Sequence, residues 1–354
     1  MDRLVSSDVV AALHGHDAVA AARIAIRAAL ADAADVDLSW IQPLPSWDGW
    51  TLAPDALRFL TSLVTHLRPR HILEFGSGLS TRVLARAGAA LQPPCRITSV
   101  DHDPEFGRIA ARQLGEQAAG CRVRFQLAPL VARDCGGKSL PMYHVRPGRF
   151  ASRRPSDLVL IDGPPVVLGG REGTLYQALD FARPGTLVLL DDADREEERA
   201  ALSRWRDNLG PAIEVHRLPQ FAKGMAAVII REPIPQARLE AHRLRLTAQE
   251  IAALIPPQDA FVLVDQDWWG SEIAASGRAI PFLEREGQYW GPPPDDDTAI
   301  RELDRLHRAG ASFMVFSWSA FWWLDYYSGL HSHLRSKFRC VLTNDRLVVF
   351  DLRP

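Results

Sequence analysis

Apolar positions follow two different periods along this chain. Residues 1–40 are Ala-rich, with Val19, Ile24, Ile26 and Leu30 at helical spacing, which predicts one or two helices. The stretch from Trp40 to Trp50 is broken by Pro43, Pro45 and Gly49 and reads as a loop. Leu57, Leu60, Val64 and Leu67 then mark one face of a helix that starts near Pro54 and ends before Pro69. Beyond it the period shortens. HILEF (71–75), RITSV (96–100), RVRFQL (122–127), DLVLI (157–161) and GTLVLL (185–190) are short apolar runs separated by helical segments after Ser80, from Pro104 and beyond. Continuous apolar strands alternating with helices predict a mostly parallel sheet covered on both faces. Two more strands, near 212–217 and 225–231, are joined by only LPQFAKG. That connection suits an antiparallel edge pair, because a parallel crossover needs more chain.

After the Pro-containing run REPIPQARLEAHRLRLTAQE (231–250) a second series begins. It has FVLVD (261–265), AIPFL (279–283), a helix from Asp295 to Arg308, SFMVFSW (312–318), an aromatic helix over 321–336, and CVLTNDRLVVFDL (340–352), with a hairpin turn at Asp345-Arg346. The expected architecture is α/β. A doubly wound, Rossmann-like, mostly parallel seven-stranded sheet with an antiparallel edge strand is followed by a second, smaller α/β domain. The expected divisions are a helical or lid segment at 1–50, a ligand-binding domain at 51–232 and an accessory domain at 237–354.

Composition narrows the function classes. Lys and Arg total 41 against 43 Asp and Glu, a net charge of -2, so no global pull toward nucleic acid or an anionic membrane is expected. The four cysteines are scattered without metal-ligand spacing. No signal pattern opens the chain and no apolar run suits a membrane span, so a cytoplasmic protein is expected. Six of the ten tryptophans fall after residue 260. The surface formed by Trp322, Trp323 and Tyr326 is therefore expected to bury against the first domain or against a second copy of the chain, giving a homodimer.

The strongest chemical signal is the run Ile72-Leu-Glu-Phe-Gly-Ser-Gly-Leu-Ser-Thr81. A strand meets Gly76 and Gly78 and then a helix opened by Ser80 and Thr81, a turn that brings backbone N–H groups close to a ligand. A dinucleotide fingerprint would have a third glycine where Thr81 stands. Glu74, two residues before the first glycine, can meet an ammonium group, and Asp101 ends the next strand where a carboxylate can accept from ribose hydroxyls. With LEFGSG and VDHD, residues of about 50–232 resemble the class I S-adenosylmethionine-dependent methyltransferases. That resemblance implies S-adenosylmethionine as cofactor and a small-molecule acceptor. It places Glu74, Gly76, Gly78, Ser80 and Thr81 at the methionine end, Asp101 at the ribose and His102 near the adenine.

Asp162 closes the fourth strand, and Asp191 and Asp192 close the fifth. Three carboxylates on one face repel unless they are paired, protonated or bridged by a cation. The arrangement is similar to the catechol O-methyltransferase branch, which implies Mg²⁺ held by Asp162, Asp191 and Asp192 and a hydroxyl acceptor. That branch has a lysine three residues after the first acid, where this chain has Pro165, so the general base is not given by the resemblance. Asp162 itself, Lys223 in the edge turn, His144 in the long 128–156 loop and His216 are the candidates. Arg171 and Arg195 can pair with the acids or meet a substrate. Two other classes stay open at this stage: an accessory protein whose second domain docks a partner, and a nicotinamide-linked enzyme, against which Glu74 and the missing glycine count. The 237–354 region resembles no family of known activity.

Overall fold

Strands that are apolar along their whole length need cover on both faces, and in the larger sheet helices provide it. The computed structural model describes residues 18–41, 51–114, 120–135, 138–145, 155–232, 234–235, 238–269 and 278–353. The chain divides into two compact units, residues up to 206 together with 211–237, and residues 207–210 together with those from 238 onward.

In the first unit the elements run α1 (Ala18–Asp32), α2 (Pro54–Leu67), β1 (His71–Phe75), α3 (Leu79–Ala89), β2 (Arg96–Asp101), α4 (Pro104–Gln113) and β3 (Arg122–Leu127). They continue with β4 (Leu130–Cys135), β5 (Lys138–Tyr143), β6 (Leu158–Ile161), α5 (Glu172–Ala178), β7 (Leu187–Asp191), α6 (Glu196–Leu209), β8 (Ile213–Leu218) and β9 (Met225–Ile230). Seven strands form one sheet in the order β3-β2-β1-β6-β7-β9-β8. Pairing is parallel except around β9, which runs antiparallel to both neighbours. The expected edge pair is thus present, with β9 inserted between β7 and β8.

Helix α2 shows how the local sequence builds this layer. Pro54 sits at its first turn, where a missing N–H costs nothing, and Arg68 closes it in the left-handed region at φ 49°. Its apolar face, including Leu57, Leu60, Leu63 and Val64, joins Ile72, Leu158 and Leu187 of the sheet in one buried core. Each fully buried leucine there contributes roughly 1.5–3 kcal/mol relative to exposure. Ala22, Ala25 and Ala29 of α1 enter the same core.

One segment departs from expectation. The 128–156 stretch reads as a loop, yet its residues 130–143 pair as the antiparallel hairpin β4–β5. Gln177 of α5 holds the hairpin, accepting from the Tyr143 amide at 3.1 Å and donating to the Tyr143 carbonyl at 2.6 Å. The alternation was masked because Arg133, Asp134, Ser139 and Pro141 interrupt its apolar positions.

In the second unit, α7 (Leu239–Leu254) precedes β10 (Ala260–Val264), β11 (Arg278–Pro281), the short pair β12 (Glu284–Arg285) and β13 (Gln288–Tyr289), and α8 (Asp296–Arg308). Then come β14 (Ala311–Ser317), α9 (Trp322–Tyr326), α10 (Ser328–Lys337), β15 (Arg339–Thr343) and β16 (Leu347–Asp351). A five-stranded sheet has the order β11-β10-β14-β16-β15. Asp295 caps α8, its carboxylate accepting from the Thr298 amide at 2.7 Å. The single aromatic helix expected over 321–336 is two helices, broken at Tyr327. Trp323 and Tyr327 are buried in this unit's own core, whereas Trp322 and Tyr326 are exposed. No described helix is long and apolar enough to cross a membrane.

Candidate active site

Register decides which side chains meet. Phe75 pairs with Val100 and with Ile161, and Ile161 pairs with Leu190. The next residue of each strand, Gly76, Asp101, Asp162 and Asp191, therefore arrives at a common level along the carboxyl edge of the sheet. Between β1 and β6 the chain order reverses, since β1 leads on toward β2 and β3 while β6 lies on the other side. Loops diverge at such a switch point and leave a crevice. A cavity of about 560 Å³ opens there, lined by Gly76, Ser77, Asp101 and His102 on one side and by Asp162, Gly163, Arg171, Asp192 and Arg195 on the other. Its rim is apolar: Phe106, Val167 and Leu168 are exposed.

Two glycines keep the crevice open. Gly76 has φ 98°, and a Cβ there would lie 2.9 Å from the Asp162 carbonyl oxygen. A Cβ on Gly163 would lie 2.4 Å from the Tyr143 hydroxyl. Both positions are confined to residues without a side chain.

Glu74 lies beneath the turn and is wholly buried. Ser80 Oγ donates to its Oε1 at 2.6 Å, and Thr81 Oγ1 and Ser99 Oγ donate to its Oε2 at 2.5 and 2.6 Å. The Gly78 amide donates in turn to Thr81 Oγ1 at 3.0 Å. Burial pushes the Glu74 carboxyl up to about 7 against the pull of these three hydroxyls. In this structure Glu74 meets Ser80, Thr81 and Ser99, so the entry to α3 hangs on one buried carboxyl. Asp101 does line the cavity. Its Oδ2 accepts from the Ser77 amide at 2.6 Å and its Oδ1 from the Asp103 amide at 2.9 Å, while His102 Nδ1 lies 3.2 Å from Oδ1. Each oxygen keeps a further lone pair for a ligand hydroxyl. Burial raises the Asp101 carboxyl, and the two amides oppose that.

Opposite, Asp162, Asp191 and Asp192 each offer a carboxylate oxygen within 4.8 Å of the other two. The guanidinium of Arg171 is set among them. Its Nη2 donates to Asp162 Oδ1 at 2.9 Å and to Asp192 Oδ2 at 2.8 Å, and its Nη1 donates to the Asp191 backbone carbonyl at 2.6 Å. Arg195 adds a second cation 3.0 Å from Asp192 Oδ2. Burial raises the Asp162 carboxyl well above the usual carboxylate range, with Arg171 opposing, and lifts Asp191 to about 6.

The four candidate bases separate here: His216 does not line the cavity, and its Nε2 lies 2.6 Å from Glu214 Oε1. Asp162 lines the cavity. His144 is exposed, and Lys223 donates to the Thr51 carbonyl at 2.9 Å; neither lines the cavity among the described residues. The hairpin brings in a residue the sequence did not single out, Tyr143. Its ring is buried between Phe75 and His102, at centroid distances of 5.3 and 6.3 Å, and its hydroxyl makes no hydrogen bond although fully buried. An expectation that 130–143 forms strands would have found it, since strand alternation sends Tyr143 inward and His144 out.

Residues 73–193 match a family model described as a methyltransferase domain. The first unit thus contains a methyltransferase domain. No curated protein sequence matches the chain. Among solved structures, an O-methyltransferase from Bacillus cereus in complex with SAH is 20% identical at a TM-score of 0.39, the match covering 64% of this chain and 97% of that one. The O-methyltransferase TomG from Streptomyces achromogenes in complex with SAM is 18% identical at 0.39, covering 65% and 99%. A methyltransferase from Geobacter sulfurreducens is 17% identical at 0.37, covering 66% and 100%. The crevice has the geometry of a ligand site. The cavity falls within the roughly 300–1,000 Å³ usual for ligand sites. The backbone is bared at Gly76, Asp101 has lone pairs to spare, and the Tyr143 hydroxyl is without a partner.

Proposed function

We propose that the methyltransferase domain methylates a hydroxyl of a small-molecule acceptor, with Asp162 as the group that receives the hydroxyl proton. The observation that carries this reading is the place of Asp162: it faces the crevice at the level of Gly76 and Asp101, on the wall opposite Asp101. The backbone at Gly76 to Gly78 bounds the methionine end, Asp101 the ribose, and His102 with Tyr143 the adenine side. When bound, S-adenosylmethionine supplies a methyl group already activated on a sulfonium, which departs as a neutral thioether. The rest is alignment and proton disposal. Asp162 takes the proton onto its carboxylate as the new carbon–oxygen bond forms. A carboxyl raised by burial is a stronger base than a solvated one, and Arg171 keeps it oriented. The apolar rim of Phe106, Val167 and Leu168 suits an acceptor whose body is apolar or aromatic.

Calorimetry with S-adenosylhomocysteine tests the cofactor half. Wild type binds, and Asp101→Ala binds about 10–100-fold more weakly, the loss expected for charge-assisted hydrogen bonds worth about 1.5–3 kcal/mol. Equal affinities would remove the ribose assignment. For the acceptor half, Asp162→Asn keeps cofactor affinity and lowers kcat by about 10²–10⁴. In wild type the rate rises with pH as Asp162 ionises, and the variant lacks that limb. An unchanged pH profile would eliminate Asp162 as the base.

A second reading, a non-catalytic nucleotide-binding protein, would keep the Asp101 result and show no Asp162 dependence.

A further inference from the structure

Resting on the methyl-transfer reading above, and deepening it, we infer that Arg171 stands permanently where a divalent cation would sit, so this chain works as a metal-independent enzyme. The residues do not fit a resident Mg²⁺, and the reason is geometric. A divalent ion held by Asp162 and Asp192 would lie about 2.1 Å from one oxygen of each. Arg171 Nη2 already lies 2.9 Å from Asp162 Oδ1 and 2.8 Å from Asp192 Oδ2. Both hydrogens of Nη2 are spent on these two oxygens, so an ion there would lie against a buried guanidinium, and like charges that close disfavour each other.

Three features make the guanidinium a fixed occupant. Arg171 is itself buried, with 6% of its surface exposed, and leaving would strand a charge-dense pocket. Its Nη1 is tied to the Asp191 backbone carbonyl, an anchor that does not depend on any side chain. A fourth carboxylate, Glu198, approaches Arg171 Nε at 4.0 Å, so the cation faces acids from β6, β7 and α6. Carboxylates at these positions depress the acidity of the guanidinium further, and it stays charged throughout the working pH range. Arg195 supplies the second positive charge on Asp192 that a divalent ion would otherwise bring. Arg171 is in this scheme a positioning residue: it holds Asp162 toward the cavity through Nη2, both of whose N–H groups are taken by Asp162 and Asp192.

The test uses Mn²⁺ alone as probe on the full-length, chelator-washed protein, read by electron paramagnetic resonance of the free ion and by thermal melting. Wild type is expected to leave the Mn²⁺ signal and Tm unchanged. Arg171→Ala and Arg171→Gln bare the three aspartates and are expected to bind Mn²⁺ with a dissociation constant of about 1 mM or tighter and to gain Tm with added ion. Adding Asp192→Asn to either variant abolishes the gain. Mn²⁺ binding by wild type that Asp162→Asn or Asp192→Asn removes would overturn the inference, as would a folded Arg171→Ala that refuses the ion. If both Arg171 variants are insoluble, the wild-type titration decides alone. Binding of S-adenosylhomocysteine, measured in the same preparation, keeps the two claims apart. Its failure sinks methyl transfer and leaves the Mn²⁺ result standing, whereas its success with Mn²⁺ refused supports both.

Discussion

Replacing Glu74 with Gln isolates one buried charge from the rest of the site. The Glu74 carboxyl titrates at about 7 in the folded protein against an ordinary 4.5. Below about 4.5 it is protonated in both the folded and the unfolded chain. As pH rises from there toward 7 the unfolded chain releases the proton and the folded chain keeps it, so folding loses stability. Above 7 both states are ionised and the loss stops growing. A difference of about 2.5 pH units at 1.36 kcal/mol each amounts to about 3 kcal/mol across that window. Glu74→Gln removes this titration while keeping the side chain's size. It also loses an acceptor for Ser80, Thr81 or Ser99, a fixed cost of about 1 kcal/mol that does not vary with pH. Urea unfolding of both proteins at pH 4.5, 5.5, 6.5 and 7.5 gives the stability difference directly. The variant is expected to be the less stable at the acid end and to gain steadily on wild type, by about 3 kcal/mol in all. Asp162, whose carboxyl Glu74 helps to raise, titrates lower in the variant, which acts in the same direction. A difference that stays flat across the series would refute the reasoning, because it would mean that Glu74 is ionised throughout and that its three hydroxyl partners outweigh its burial.

Two other substitutions test the crevice. Gly76→Ala forces a side chain into φ 98° and against the Asp162 carbonyl, so thermal melting should show a loss of at least about 1–2 kcal/mol together with loss of cofactor binding. Tyr143→Phe keeps the ring between Phe75 and His102 and removes only the hydroxyl without a partner; Tm should hold or rise while the dissociation constant for S-adenosylhomocysteine rises several-fold, and an unchanged constant would exclude a ligand contact.

The class of the fold, its sheet strands and the acids that end them were legible in the sequence because they depend on local signals. Runs such as HILEF and LVLLD have to be buried on both faces, and each is followed by the residue the turn requires: glycine where φ is positive, or an aspartate that accepts from the next backbone amides. The cavity wall built by the β4–β5 hairpin was not legible. Its strands carry polar residues at the interrupted positions, and their pairing is set by contact with Gln177 of α5 across more than thirty residues of chain. Glu74 was visible as an acid before a glycine turn. That its carboxyl would be consumed by Ser80, Thr81 and Ser99 depended on strand register, which brings Ser99 opposite it. The largest decision left to tertiary structure was the cation. Sequence put Asp162, Asp191 and Asp192 at adjacent strand ends and named Arg171 as a candidate partner. Whether a guanidinium or an ion neutralises them is settled by distances of a few ångströms between β6, β7 and the start of α5, and sequence spacing cannot specify those.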